Sequence, residues 1–293
     1  MLITGINGQL GIELLRALDS IGEIIAVDRA RCDLSNPRDI RALVRSIRPD
    51  IIINPAAYTA VDKAESDREM AYAVNACAPG VLGEEAASIG ACVVHYSTDY
   101  VFNGLSHGPY NENDKPDPQN VYGQSKWSGE QALQQSGAPY LILRTSWVVG
   151  AHGGNFAKTI LRLAAERENL NVVADQFGAP TSATLIADVT VQLVRQIMRD
   201  GNTQFPFGLY HLAASGVTSW HEYAQFVVAE VLNMGKQLKT APKNIKAISA
   251  AEYPLPAKRP ANSLLDTQKI RNTFGLILPD WRDGVRQVLQ QIY

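Results

Sequence analysis

Cysteine is scarce in this sequence. The three present, Cys32, Cys77 and Cys92, are odd in number and widely spaced. They offer no disulfide framework and no thiolate metal site, and they suit a reducing compartment. No charge of one sign prevails either: 27 Lys and Arg stand against 29 Asp and Glu, a net −2. Neither nucleic acid nor a membrane surface is therefore an expected partner. Long apolar runs are missing, none approaching the roughly 18 residues of a spanning helix. The opening Met1-Leu2-Ile3-Thr4-Gly5 lacks the basic stretch, apolar core and cleavage site of a secretory leader, so a cytoplasmic location is expected. His95, His107, His152, His211 and His221 show no ligand spacing and are read as core or surface residues, with no metal site among them. Repeats, low-complexity tracts and Gly/Ser linkers are absent. What remains is a globular chain of 293 residues, 46% apolar and 19% charged, about twice the commonest domain size and long enough to bury a large core.

The first half alternates short apolar runs with amphipathic stretches, as a parallel sheet wrapped by helices requires. Strands are expected at Leu2-Ile3, at 23–28 (EIIAVD), at 50–54 (DIIIN), at 92–97 (CVVHYS) and at 140–149. Continuous apolar runs such as IIIN indicate burial on both faces. A helix is expected over 9–18, where Leu10, Leu14 and Leu18 share a face. Another opens at Asn36-Pro37, a capping residue before a proline, and stops at Pro49. A long helix is expected over 66–89. Beyond about Gly150 the rhythm changes, with helices expected at 155–168, 184–199 and 219–232, a strand at 171–174, a turn at 175–180 and irregular structure over 241–263. The expected fold is α/β, a doubly wound, Rossmann-like parallel sheet. A dinucleotide-binding domain would span 1–150. Residues 151–293 would form a smaller, partly interleaved α+β substrate-binding domain, some of whose segments return to pack on the first.

Three constellations carry chemistry. Gly5-Ile6-Asn7-Gly8-Gln9-Leu10-Gly11 lies between the first strand and the first helix. Glycines there permit a tight turn and close approach of a diphosphate to the N–H groups of the helix start. The bland reading is an ordinary strand-to-helix turn. Asp28, 20 residues beyond Gly8 at the end of the second strand, sits where a carboxylate would bind the adenosine ribose. Arg29 and Arg31 beside it could hold a 2′-phosphate or be plain surface residues, so NADH and NADPH both stay open. Next comes Tyr122-Gly123-Gln124-Ser125-Lys126. Four residues apart on a helix, Tyr122 and Lys126 share a face, and a nearby ammonium lowers a phenol's pKa towards the range of a general acid. An exposed helical pair is the alternative. The third, Tyr96-Ser97-Thr98-Asp99-Tyr100, lies at the carboxyl end of the fourth strand, where open α/β sheets meet their ligands. The polar loop that follows, up to Tyr122, has the length of a lid or binding loop.

Together with Asp33-Leu34, Asn54-Pro55-Ala56-Ala57, Val101-Phe102 and Gly129-Glu130, these constellations resemble the extended short-chain dehydrogenase/reductases. Further blocks look like the branch of that family that reduces 4-keto nucleotide sugars. These are Ala60–Glu65 (AVDKAE), Arg144–Val148 (RTSWV), Asn155–Thr159 (NFAKT), Asp175–Thr181 (DQFGAPT) and Arg259–Ser263 (RPANS). The likeness runs from residue 1 to about 290.

The resemblance implies a reduction by NADPH or NADH of the carbon-4 ketone of dTDP-4-dehydro-β-L-rhamnose, giving dTDP-β-L-rhamnose for surface polysaccharide. Tyr122 would protonate the developing alkoxide. Lys126 would tune Tyr122 and bind the nicotinamide ribose, and Thr98 would hydrogen-bond near the reacting oxygen. Gly5, Gly8, Gln9, Leu10 and Gly11 would cradle the diphosphate, Asp28 the ribose, and Asp33 with Leu34 the adenine. Ala57, Tyr58, Thr59 and Tyr96 would line the nicotinamide half. Thr98, Asp99 and Trp147 would meet the sugar, Arg259 and Asn262 the nucleotide; for Trp147 a core role is the alternative. Family members can bind magnesium through glutamates at a homodimer contact. Glu13 sits where such a ligand would, without acidic counterparts near Thr184 or Gln291, so no metal residue is assigned. Two other readings share the motifs. One is a nucleotide-sugar epimerase or dehydratase of the same superfamily. The other is a non-catalytic regulator like the β subunit of methionine adenosyltransferase, which can keep the Tyr-x-x-x-Lys pair.

Overall fold

A computed structural model describes residues 1–293. In the first half β1 (Leu2–Ile3), β2 (Ile25–Ala26), β3 (Ile51–Asn54), β4 (Cys92–Thr98) and β5 (Tyr140–Thr145) alternate with helices. These are α1 (Gln9–Leu18), α2 (Pro37–Ile47), α3 (Val61–Ala64), α4 (Arg68–Tyr72), α5 (Ala78–Ile89) and α6 (Val121–Gln135). The chain continues through β6 (Val148–Val149), α7 (Phe156–Glu166), β7 (Leu170–Val173), β8 (Phe177–Gly178), β9 (Thr181–Ser182) and α8 (Ala183–Gln204). It ends with β10 (Gly208–His211), β11 (Thr218–Ser219), α9 (Trp220–Asn233), β12 (Ile245–Ile248), α10 (Gln268–Phe274) and α11 (Trp281–Ile292).

Six strands make one sheet in the order β10-β5-β4-β3-β1-β2, and every pair in it is parallel. The doubly wound sheet expected from the apolar runs is therefore present. Its two faces are buried by alternate residues, as the period of a strand demands. Ile3, Ile51, Ile53, Cys92 and Val94 join Leu10, Leu14 and Leu18 of α1 and Leu193 and Ile197 of α8. Leu2, Ile52 and Val93 face Ile40 and Val44 of α2 and Leu82 and Ala86 of α5. The order of strands reverses at β1 and β3, which opens a crevice beyond their carboxyl ends.

Four features differ from the pattern read in the sequence. The helix expected over 66–89 is interrupted by a π-helical turn at Ala73–Cys77 between α4 and α5. Pro79 has no N–H to offer the carbonyl of Asn75, so the ladder shifts register there and Ala78 N–H donates to Ala73 O instead. The strand expected over 140–149 ends at Thr145. Trp147 turns at φ 48°, and Val148–Val149 pairs with β9 outside the main sheet. The stretch 241–263 is not irregular throughout, since β12 runs parallel to β7. Finally β10, too short to read from periodicity, returns from the second half to the edge of the main sheet beside β5.

A buried ion pair ties this edge to the helix that follows β4. Arg144 Nε and Nη2 donate to the two carboxylate oxygens of Glu130 at 2.8 and 2.6 Å, with the side chains 4% and 2% exposed. Removing one partner leaves an uncompensated buried charge. Glu130→Ala is expected to lower the unfolding free energy by about 3–5 kcal/mol, read from urea unfolding. A loss below about 1 kcal/mol, the scale of an exposed pair, would show that the pair contributes little.

Candidate active site

The crevice at the strand-order reversal is a cleft of about 820 Å³. One end is built by the turn between β1 and α1. Gly5 takes φ 59°, and a Cβ on it would lie 2.8 Å from Ala56. A Cβ on Gly11 would sit 2.2 Å from the carbonyl oxygen of Gly5. Those two glycines are thus demanded by the packing of the turn on itself. Gly8 is more open and begins α1 with no side chain capping the helix, which leaves the first N–H groups of α1 free to meet an anion. Gly5, Gly8, Gln9, Leu10, Gly11, Asp28, Asp33, Leu34, Ala57, Tyr58, Thr59, Tyr96, Tyr122 and Lys126 all line this one cleft. The cradle and the open helix start fit a dinucleotide.

Asp28 accepts from the backbone of Ala30 and Arg31 through Oδ1, both at 3.1 Å, which holds the carboxylate at the rim. Arg29 also lines the cleft, whereas the Arg31 guanidinium donates to Ala26 O at 3.3 Å. The wall between Ala57 and Thr59 is fixed by Asn75, a residue sequence reasoning passed over. Its Oδ1 accepts from Tyr58 N–H at 2.8 Å, and its Nδ2 donates to Tyr58 O and Ser125 Oγ, both at 3.0 Å. A lone Asn inside an expected helix gave no signal of this role.

At the other end α6 delivers Tyr122 and Lys126. The helix is capped by Asn120, whose Oδ1 accepts from Gly123 N–H at 2.8 Å. Gly123 lies so close to the turn after β4 that a Cβ would be 2.2 Å from Tyr100 O. That contact presses the half-buried Tyr122 against the end of β4, where its ring meets Tyr100 edge-on at 5.4 Å. Burial pushes the Tyr122 phenol up to about 12, against a smaller opposing pull from the Thr98 hydroxyl. In the chain alone Lys126 Nζ bonds Tyr96 O at 2.7 Å and His95 Nε2 at 3.1 Å, and it is not among the groups that shift the Tyr122 phenol. Lys126 itself is pushed down to about 8 by burial, with Glu130 opposing. His95, read as a core or surface residue, is fully buried in the core and touches the site through Lys126.

Thr98 Oγ1 donates to Asp99 Oδ1 and accepts from Tyr100 N–H, each at 3.1 Å. Burial raises Asp99 to about 6, with the hydroxyls of Ser263 and Thr98 pulling the other way. Asp99 Oδ2, Ser97 Oγ, Thr145 Oγ1 and Ser146 Oγ are all buried without a partner. Four such atoms at the ends of two adjacent strands mark a place built to meet a polar ligand. Thr98, Asp99, Trp147, Arg259 and Asn262 do not line the dinucleotide cleft itself.

Trp147 stacks on Trp220 with ring centroids 3.5 Å apart. Arg259 Nη2 donates to Asp62 at 2.6 Å while its Nη1 is buried and unpartnered. Asn262 is engaged within the loop around it. Its Nδ2 donates to Ser106 O and Gly108 O at 2.9 and 2.8 Å, and its Oδ1 accepts from Leu264 N–H at 2.9 Å. The side chain is spent on bracing the loop. Glu13 is 6% exposed in its side chain and paired with Arg16 at 3.1 Å, and no three His, Cys, Asp or Glu side chains converge within the chain.

A parallel sheet with a glycine turn at its strand-order reversal, and a Tyr-x-x-x-Lys helix facing that turn, define a short-chain dehydrogenase/reductase. Within that class, the chain belongs to the family described as the RmlD substrate binding domain, whose model matches residues 1–293. It is 48% identical over 297 positions to dTDP-4-dehydrorhamnose reductase of Escherichia coli K12, covering 100% of this chain and 98% of that protein. The Burkholderia thailandensis enzyme of the same name is 45% identical, covering 97% of this chain and 96% of that protein. Among solved structures, dTDP-4-dehydrorhamnose reductase from Bacillus anthracis in complex with NADP superposes with a TM-score of 0.89 at 36% identity, covering 100% of this chain and 99% of that one.

The raised pKa of Asp99 has a consequence for stability. A carboxyl that holds its proton more tightly when folded favours the folded state only in acid. That contribution is complete below its ordinary 3.8 and lost as the pH passes about 6. Asp99→Asn, which keeps the shape without the charge, is expected to raise the unfolding free energy by roughly 2–3 kcal/mol at neutral pH. The gain should vanish when urea unfolding is repeated below the ordinary carboxylate pKa. Equal stability at neutral pH would place the carboxylate in a solvated setting.

Proposed function

We propose that this protein is an NADPH- or NADH-dependent dTDP-4-dehydrorhamnose reductase, converting the carbon-4 ketone of dTDP-4-dehydro-β-L-rhamnose to the alcohol of dTDP-β-L-rhamnose. One observation carries the reading: the open start of α1 and the Tyr122–Lys126 pair line the same cleft, so a diphosphate held at one end brings a nicotinamide to the phenol at the other. When bound, the cofactor supplies the hydride.

The chain's own groups do the rest. Tyr122, protonated at neutral pH as any phenol is and pushed further up by burial, gives its hydroxyl proton to the alkoxide forming at carbon 4. The Lys126 ammonium stabilises the phenolate left behind and holds the nicotinamide ribose. Thr98, on the strand end beside Tyr122, hydrogen-bonds the reacting oxygen. Asp99 and Trp147 meet the sugar. The buried, unpartnered Nη1 of Arg259 supports a contact with the nucleotide, which Asp62 orients from behind. Asp28 takes the adenosine ribose, with Asp33 and Leu34 beside the adenine. The cysteines are free thiols, and no helix is long and apolar enough to cross a membrane, both in keeping with work in the cytoplasm on a nucleotide sugar.

The test is cofactor oxidation by the purified protein with dTDP-4-dehydrorhamnose, run in parallel with NADPH and NADH. Sugar-dependent oxidation is expected. Its absence, with cofactor shown separately to bind, would turn the reading towards another 4-keto sugar or a regulatory role. Tyr122→Phe is expected to lower turnover by about 10²–10⁴-fold while cofactor binding stays nearly intact; unchanged turnover would remove Tyr122 as the acid. Lys126→Ala is expected to weaken cofactor binding and turnover together, and intact cofactor affinity would leave the residue only its effect on the phenol.

A further inference from the structure

Four polar side chains lie end to end beneath the dinucleotide cleft. Thr4 Oγ1 is 2.6 Å from Asn54 Oδ1, Asn54 Nδ2 is 3.2 Å from His95 Nδ1, and His95 Nε2 is 3.1 Å from Lys126 Nζ. Thr4, Asn54 and Lys126 are each 1% exposed and His95 is fully buried. The first three sit on or just past β1, β3 and β4, and Asn54 and His95 are direct neighbours in the sheet. The residues just before them, Ile3, Ile53 and Val94, are all apolar core. Polar groups placed so deeply cost stability unless they are paired, and packing alone would be served by apolar residues.

The chemistry of an ammonium decides how this string is wired. Lys126 has three N–H bonds and no lone pair. One goes to Tyr96 O at 2.7 Å and one faces His95 Nε2. The third is left for the cleft, which Lys126 lines. Nε2 must therefore be the bare nitrogen of a neutral imidazole, and Nδ1 carries the ring proton. That proton needs an acceptor, so Asn54 presents its carbonyl oxygen to His95 and its amide nitrogen to Thr4, the two ends of an amide being equal in shape. Burial and the Lys126 charge both hold the imidazole well below its ordinary pKa, in keeping with a ring that stays neutral beside an ammonium.

We propose, on the reductase reading above, that His95 is a positioning residue for the reaction. Its Nε2 lone pair, fixed by Asn54 and Thr4, accepts a hydrogen bond from one ammonium N–H of Lys126 and so aims the remaining N–H into the cleft at the cofactor ribose and the Tyr122 oxygen. The role belongs to an acceptor at the Nε2 position and not to an imidazole as such. Glutamine places a carbonyl oxygen near that position, whereas asparagine reaches only as far as Nδ1.

The experiment compares His95→Gln, His95→Asn and His95→Leu in the full chain. It measures NADPH dissociation constants by fluorescence titration and turnover with dTDP-4-dehydrorhamnose. The Asn and Leu variants are expected to bind NADPH and turn over about tenfold worse, the scale of one charge-assisted hydrogen bond. The Gln variant should stay within about threefold of the parent on the same scale. Should the Leu variant fail to fold, the contrast between Gln and Asn carries the test. Gln and Asn equally impaired, or Leu equal to the parent, would overturn the proposal. In a Lys126→Met background, His95→Asn is expected to cost NADPH binding nothing further, and an added tenfold loss would overturn it too. Turnover by the unsubstituted protein tests the reductase reading separately. Were that turnover absent, the NADPH ratios between variants would still decide the role of His95.

Discussion

A charged lysine with 1% of its surface exposed must find acceptors inside the protein, and the local architecture follows from that need. On the protein side of Lys126 a backbone carbonyl of β4 and an imidazole from the same strand take the place of water. Both come from the middle of β4, just short of its carboxyl end, beyond which a parallel sheet meets its ligands. Glu130 lies one helical turn beyond Lys126 and is itself held by Arg144 of β5, so the positive charge of the lysine sits near a balanced pair. The cost of burying charge is met by fixed dipoles, and the result is an ammonium whose direction is set before any ligand arrives.

Rigid placement of α6 makes this possible. The helix is held at three points by absent side chains or exact polar fits. Gly123 lets it approach Tyr100 O and Gly129 lets it approach Asn75 O, where a Cβ would come within 2.2 and 2.0 Å. Ser125 sits between them, bonded to Asn75. The π-helical turn that carries Asn75 is therefore part of the same device. It swings the amide towards the cleft wall and towards α6 at once, which a regular helix through 66–89 would not do.

Much of this was legible in the sequence. The runs IIIN and CVVHYS announced central strands because burial on both faces removes alternation, and the glycine turn followed by Asp28 announced the dinucleotide cleft. Every residue assigned there from the sequence lines it. What stayed hidden depends on long-range contact. The β10 strand is four residues long and makes sense only beside β5. Asn75 is one amide in an apparently regular helix. His95 has no spacing signal because its partners, Asn54 and Lys126, are 41 and 31 residues away. Asn262 lay in a recognisable block, yet its own side chain bonds the neighbouring loop, and a motif's presence does not say whether its polar atoms face a ligand or each other.

The route of the chain through the main sheet has an evolutionary consequence. The edge strand β10 and the helix α8 that covers α1 both come from residues beyond 180, while Asn120 at the start of α6 bonds Lys258 O and Asp62 holds the backbone of Ala257. A first half cut off near residue 150 would carry a bare apolar face on α1, an open edge at β5 and an α6 missing its outer brace. The two halves thus cannot be traded like separate modules. Each half supplies part of the other's interior, so a substitution at their shared surfaces is constrained from both sides.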